Sequence, residues 1–247
     1  MAAAIAALVA FLAVLDDDAD VATDTTTTLE PATTEPPTTE PVTTEPAPTT
    51  QTPSTRPQAI TSEEAAGVVW PDPSTGPVYD TPEAAVAGFA EDLLGFADPV
   101  YGAFMQGDTR SGEIEVRGAE DGPVTTVGAR QMSDGSWYVL FAATSEIEVI
   151  MPVPGMAIDH PLDVEGWGRG FEGQVRVAVY ERGATTPLGE GFFTAGSGED
   201  PAAFTGSVDW PNRGTGGWGV IVATTATGRD GSTWAATAFP VGFIGGD

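Results

Sequence analysis

The chain has 247 residues, 36 of them acidic and 9 basic, with a formal net charge of −27, one histidine and no cysteine. Every basic residue is an arginine. These counts exclude disulfides, zinc–thiolate sites, thiol nucleophiles, cysteine-borne lipids, lysine Schiff bases and a P-loop lysine. The negative charge repels nucleic-acid phosphates and anionic headgroups, so no nucleic-acid partner is expected, while cations and basic partners are favoured.

Met1 to Leu15 is unbroken apolar sequence, stopped by Asp16, Asp17 and Asp18. As a helix it would reach about 22 Å, short of the ~30 Å hydrocarbon core, and no basic residue precedes it. The reading is an uncleaved signal anchor, with a cleaved signal peptide as the alternative. Residues 16–59 form a linker. Thr-Thr-Glu-Pro recurs at Thr33–Pro36, Thr38–Pro41 and Thr43–Pro46. Proline blocks helix and removes ladder donors, and little apolar surface is there to bury, so a disordered spacer is expected. Its reach approaches ~120 Å at about 3.1 Å per residue, long enough to cross a cell wall.

Residues 60–146 read as a small α+β domain. A Pro-punctuated lead-in runs to Tyr79. Thr81 is then placed as an N-cap, with Pro82 at the first helical position and Glu83 at the positive helix end. Val86, Phe89, Ala90, Leu93 and Leu94 make one apolar stripe, closed by Gly95. Strands follow at Glu113–Arg117, Val124–Met132 and Ser136–Ala143, the last two joined by a turn at Asp134-Gly135. Trp137 to Phe141 is apolar on both faces and reads as a central strand. Ser145–Met151 continues the meander, with Ile147, Val149 and Met151 inward.

Residues 147–247 change character, with short strands broken by Gly and Pro. Leu162–Gly166, Gly173–Glu181, Leu188–Thr194, Phe204–Trp210, Gly219–Thr225 and Thr233–Ile244 are the expected strands. Their spacing, with no helix signal between them, argues an antiparallel β-sandwich. The fold class is therefore mainly β, an α+β domain followed by a sandwich. Pro154-Gly155, His160-Pro161-Leu162, Val164, Gly166, Phe171-Glu172-Gly173, Val175 and Val177 follow one order, and Phe204, Val208, Asp230-Gly231-Ser232 and Val241 come later. In these residues the segment resembles the Gmad2 family, the immunoglobulin-like domain of bacterial sporulation and spore-germination proteins. Gly168 and Gly170 depart from the pattern. The resemblance implies an Ig-like sandwich, often carried by a membrane-anchored envelope protein, and implies no enzyme. A lysine-free chain rich in Ala, Gly and Asp suits a high-GC actinobacterial genome.

Residues that could carry chemistry have structural readings beside the functional ones. His160, ahead of Pro161, is expected to be a partly exposed residue at the start of a strand rather than a triad member. Paired carboxylates could serve glycoside hydrolysis, but so acidic a chain always supplies a pair at some distance. Asp72 with Asp80, Asp159 with Asp163, and Glu199 with Asp200 could offer oxygens to calcium, yet none has an EF-hand spacing, and surface acidity is the preferred reading. Asp230-Gly231 is read as a turn. Glu172 is read as a structural residue beside a core aromatic. Trp70, Trp167, Trp210, Trp218 and Trp234 would stack on sugars only if exposed in a row, and are read mostly as core. Gly214–Gly219 lacks a lysine and a following helix, so it is a turn and not a phosphate loop. No catalytic, cofactor or metal residue is assigned. The expected function is a non-catalytic binding or assembly module outside the cytoplasm, anchored to the membrane by its N-terminus. Its partner would be an envelope protein or, alternatively, a cell-wall polymer.

Overall fold

The computed structural model describes residues 59–211 and 217–244. The expectations for Met1–Leu15 and the Thr/Pro/Glu spacer lie outside these residues, as does Gly214–Gly219 up to Gly216. Helix α1 (Ser62–Ala66) opens the fold through a capping box. The Thr61 hydroxyl accepts the Glu64 N–H at 3.1 Å, and the Glu64 carboxylate accepts the Thr61 N–H at 2.9 Å. Helix α2 (Pro82–Gly88) starts as its sequence indicates, with Thr81 accepting the Ala84 N–H at 3.2 Å and Pro82 in the first turn. It then widens into a π-helical turn, Phe89–Leu93, where the Leu94 N–H reaches the Phe89 carbonyl at 3.1 Å. Phe89, Ala90, Leu93 and Leu94 are all buried, and Gly95 ends the turn at φ 70°.

Thirteen strands follow among the described residues: β1 (Val100–Tyr101), β2 (Met105–Gln106), β3 (Ser111–Arg117), β4 (Thr125–Gln131), β5 (Trp137–Thr144), β6 (Ile147–Met151), β7 (Ala157–Ile158), β8 (Leu162–Gly168), β9 (Gln174–Glu181), β10 (Gly189–Thr194), β11 (Ala202–Val208), β12 (Gly217–Ala226) and β13 (Thr233–Phe243). The larger sheet runs β1-β3-β4-β5-β13-β12-β9-β10, with β2 beside β3 and β7 beside β13; the smaller runs β11-β8-β6. All pairings between these strands are antiparallel except the short β7–β13 contact. The β4–β5 hairpin turns at Gly135, φ 85°, where the Asp134 carboxylate accepts the Ser136 N–H at 2.9 Å.

One strand departs from the expected meander. β6 does not pair with β5. It crosses to the smaller sheet, with Ile147 opposite Gly168 and Glu148 opposite Trp167. The crossing places Ile147 in the inter-sheet core that also holds Val164 and Phe204.

The central strands of the larger sheet are buried on both faces. Val86, Phe89 and Leu93 pack on one face with Val127 and Val139, and this same core takes in Val220, Val222, Ala236 and Ala238 from the C-terminal strands. Ile221, Ala223, Phe239 and Val241 point the other way, into a second core closed by Leu162, Val164 and Phe204 of the smaller sheet. Each such large side chain contributes about 1.5–3 kcal/mol by leaving water. β12 therefore reads as a continuous apolar run rather than an alternating one.

The segments 60–146 and 147–247 thus share one sheet and one core. β5 meets β13 at Ala142 opposite Ala238. Arg182 adds a clasp. Its guanidinium lies 5.8 Å from the Trp218 ring, pairs with Asp72 at 3.4 Å and donates to the Ala65 carbonyl. Burial works against the Arg182 charge and the Asp72 carboxylate opposes that effect. Among the described residues, no helix is long and apolar enough to cross a membrane.

Candidate functional site

At the end of the sandwich where β8 finishes, four connections meet around a cleft of about 400 Å³. The first, between β5 and β6, supplies Glu146, and the second, between β8 and β9, begins at Arg169-Gly170. Its backbone is held by the Glu146 carbonyl (3.0 Å from Arg169 N) and the Gly196 carbonyl (3.0 Å from Gly170 N). This second connection continues as the turn Phe171–Gly173. Here Glu172 takes φ 54° and Gly173 φ 70°, two consecutive left-handed residues. That conformation is costly for a residue with a Cβ, and the glycine that follows has none. The Gly173 carbonyl accepts the Ala195 N–H at 2.6 Å, which ties the turn to the third connection, between β10 and β11.

The fourth connection, between β12 and β13, is shaped by Asp230. Its carboxylate accepts the Ser232 N–H at 3.0 Å and the Thr227 hydroxyl at 2.7 Å, and Gly231 follows at φ 77°. The Ser232 backbone bond leads the causes that pull the Asp230 carboxyl down to about 2, with the Ser232 and Thr227 hydroxyls adding to it. The turn expected at Asp230-Gly231 is therefore in place. Gly228 lies against the ring of Phe171 so closely that a methyl group there would overlap it.

The floor of the cleft is an ion pair. Arg169 Nε reaches Glu146 Oε2 at 2.6 Å and Nη2 reaches Oε1 at 2.8 Å, a two-pronged contact. Nη1 donates to the Glu199 carbonyl at 2.7 Å. The Glu146 side chain is 10 % exposed and that of Arg169 35 %. The hydrogen bond to Glu146 raises the Arg169 pKa, with burial opposing. Trp234 lines the same cleft, and Phe171 stands at its mouth, 55 % exposed.

The expectation that Glu172 sits beside a core aromatic is corrected, because Phe171 lies exposed to solvent. Two further aromatics of the C-terminal segment are exposed. Trp167 is 47 % exposed on the outer face of the smaller sheet, and Phe192 is 58 % exposed on edge strand β10. The other tryptophans named above divide as follows. Trp70 and Trp210 are buried, while Trp218 and Trp234 are half-buried.

His160 lies at the other end of β8. Its ring is partly exposed, 5.9 Å from the Trp210 ring centroid, with Nδ1 3.6 Å from Asp209. Asp72 spends its oxygens on Ser74, Thr75 and Arg182, and Asp159 accepts the His160 N–H at 2.8 Å. Among the described residues no three His, Asp or Glu side chains gather as a metal site.

Two facing antiparallel sheets, with the cleft formed by their end loops, define an immunoglobulin-like sandwich module. Residues 146–232 match the Gmad2 family, described as the immunoglobulin-like domain of bacterial spore germination. The matched segment is the C-terminal part of the chain and contains every residue lining the cleft except Trp234. No curated protein matches the chain.

Proposed function

We propose that this protein is a non-catalytic binding module of the cell envelope, held outside the cytoplasm by its apolar N-terminus and presented on the Thr/Pro/Glu spacer. The binding partner is an envelope protein. The observation that carries the reading is the cleft itself. The family-matched segment builds it almost alone, from backbone-tied turns, and leaves Phe171 at its mouth. Exposed aromatics beside pre-formed turns suit recognition, because they supply contact area at little entropic cost. The chemistry of the cleft agrees. Its ion pair is closed on itself, with three Arg169 N–H groups already donating to Glu146 and Glu199.

The test is sedimentation of the full-length chain with isolated envelopes, before and after protease treatment of the envelopes. Binding that disappears with the envelope proteins supports the reading. Undiminished binding to protein-free wall would favour the wall-polymer reading in its place. Release of reducing sugar would overturn the non-catalytic assignment.

A further inference from the structure

The outer face of the smaller sheet carries no part of the cleft, and its composition is unusual for a solvent face. Alternation along β8 sends Leu162, Val164 and Gly166 inward, and Asp163, Glu165 and Trp167 outward. Register then decides their neighbours. Trp167 stands opposite Glu148 of β6 on one side and Ala203 of β11 on the other. Glu165 stands opposite Thr205, and Asp163 opposite Ser207. Directly opposed side chains lie about 5 Å apart at Cβ, and the next outward residue on one strand about 7 Å away. Glu148 and Glu165 therefore flank the indole from two directions. Ile150 adds an exposed apolar side chain at the bulge in β6.

No arginine lies on β6, β8 or β11. The nearest along the chain, Arg169, is engaged by Glu146 and the Glu199 carbonyl. The face is thus an exposed indole flanked by two carboxylates, Glu148 and Glu165, in a chain of net charge −27. A large apolar ring left in water near the end of the sheet's central strand offers a contact surface. The surrounding charge selects what can approach, since acidic partners are repelled and basic ones drawn in. An indole face also attracts a cation directly, arginine more often than lysine.

We propose that this face docks a basic polypeptide segment, with an arginine or lysine side chain lying on the Trp167 indole between the carboxylates of Glu148 and Glu165. The inference rests on the binding role proposed above and names the partner's chemistry.

The experiment follows the Trp167 indole N–H by NMR in the isotopically labelled full-length chain, its resonance assigned from Trp167→Phe. The probe is a hexa-arginine peptide, with a Gly-Ser peptide of equal length and a chitooligosaccharide as comparisons. The expected result is saturable shifts confined to the outward residues of β6, β8 and β11. Trp167→Ala and the pair Glu148→Gln/Glu165→Gln should each weaken binding about tenfold. Affinity should fall steeply as salt rises from about 0.05 to 0.5 M. Phe192→Ala, on the other sheet, should bind as the parent does, and unchanged thermal melting should show that the variants fold.

Shifts spread evenly over the acidic surface would overturn the proposal, as would full affinity in the double carboxylate variant. So would an indole that responds to the sugar and not to the peptide. The envelope sedimentation separates the two claims. Sedimentation retained in Trp167→Ala and in Glu148→Gln/Glu165→Gln upholds the binding role and defeats this surface. Peptide binding at Trp167 with no envelope binding upholds the surface and defeats the role.

Discussion

Replacing Arg169 by methionine tests whether the cleft floor is held by its ion pair. The substitution leaves Glu146, whose side chain is 10 % exposed, without its two-pronged partner, and frees the Glu199 carbonyl. Breaking a fully buried pair costs about 3–5 kcal/mol, and an exposed one about 0–1. Arg169 is 35 % exposed, so water can enter and solvate part of the abandoned carboxylate. A loss of about 2 kcal/mol is the expected compromise. For a folded unit of this size that lowers Tm by about 4–8 °C. Glu146→Gln should cost less, about 1 kcal/mol, because the guanidinium left behind can turn to water. Urea unfolding of the two single variants and the double variant gives the coupling directly, expected at about 1–2 kcal/mol. Hydrogen exchange should quicken in the 195–201 connection, which loses its tie from Arg169. A coupling near zero, or a Tm within about 1 °C of the parent, would refute the reasoning.

Three more outcomes follow from the geometry. Phe89→Ala, in the core shared by the helix and the C-terminal strands, should cost about 3–5 kcal/mol and lower one common transition seen by both far- and near-UV circular dichroism; two separate transitions would contradict the shared core. Gly173→Ala places a Cβ at φ 70° and 2.8 Å from the Ala195 carbonyl, so a loss of about 1–3 kcal/mol in urea unfolding is expected, and no loss would mean the turn relaxes freely. Asp230 has its carboxyl held at about 2 against an ordinary value of 3.8, so its contribution to stability is present above about pH 4 and is lost as pH falls through about 2. The Tm difference between parent and Asp230→Asn should therefore be largest near neutrality and shrink towards zero at about pH 2, whereas a difference independent of pH would contradict the assignment.

Local chemistry in the sequence fixes much of this fold. Ile114 and Val116 alternate as a half-buried strand must, and Asp134-Gly135 and Asp230-Gly231 make the turns that their φ preferences allow. The alternation in β8 also fixes which way Trp167 faces, because Val164 and Gly166 claim the inner side. Pairings between distant segments leave no local trace. Trp137 to Phe141 reads as central, but nothing near it says that β13, about a hundred residues later, is the partner across Ala142. The Thr61–Glu64 capping box is visible in the sequence, yet its helix is so short and so closely followed by prolines that no apolar period supports it.

The candidate site was less legible. Glu146 and Arg169 are 23 residues apart, and only the crossing of β6 to β8 brings them together. Phe171-Glu172-Gly173 stands out as a motif, but its meaning depends on a backbone angle. Nothing in the three letters announces that Glu172 is left-handed or that Phe171 is exposed.

The most direct test of the binding role is site-specific photo-crosslinking in living cells. A benzophenone side chain replaces Phe171 or Trp167 in the full-length protein, with Val78, 72 % exposed and outside the family-matched segment, as the control position. A discrete adduct with one envelope protein from positions 171 and 167, and none from 78, is the result expected. Equal adducts from all three positions, or none from 171 and 167, would contradict the account.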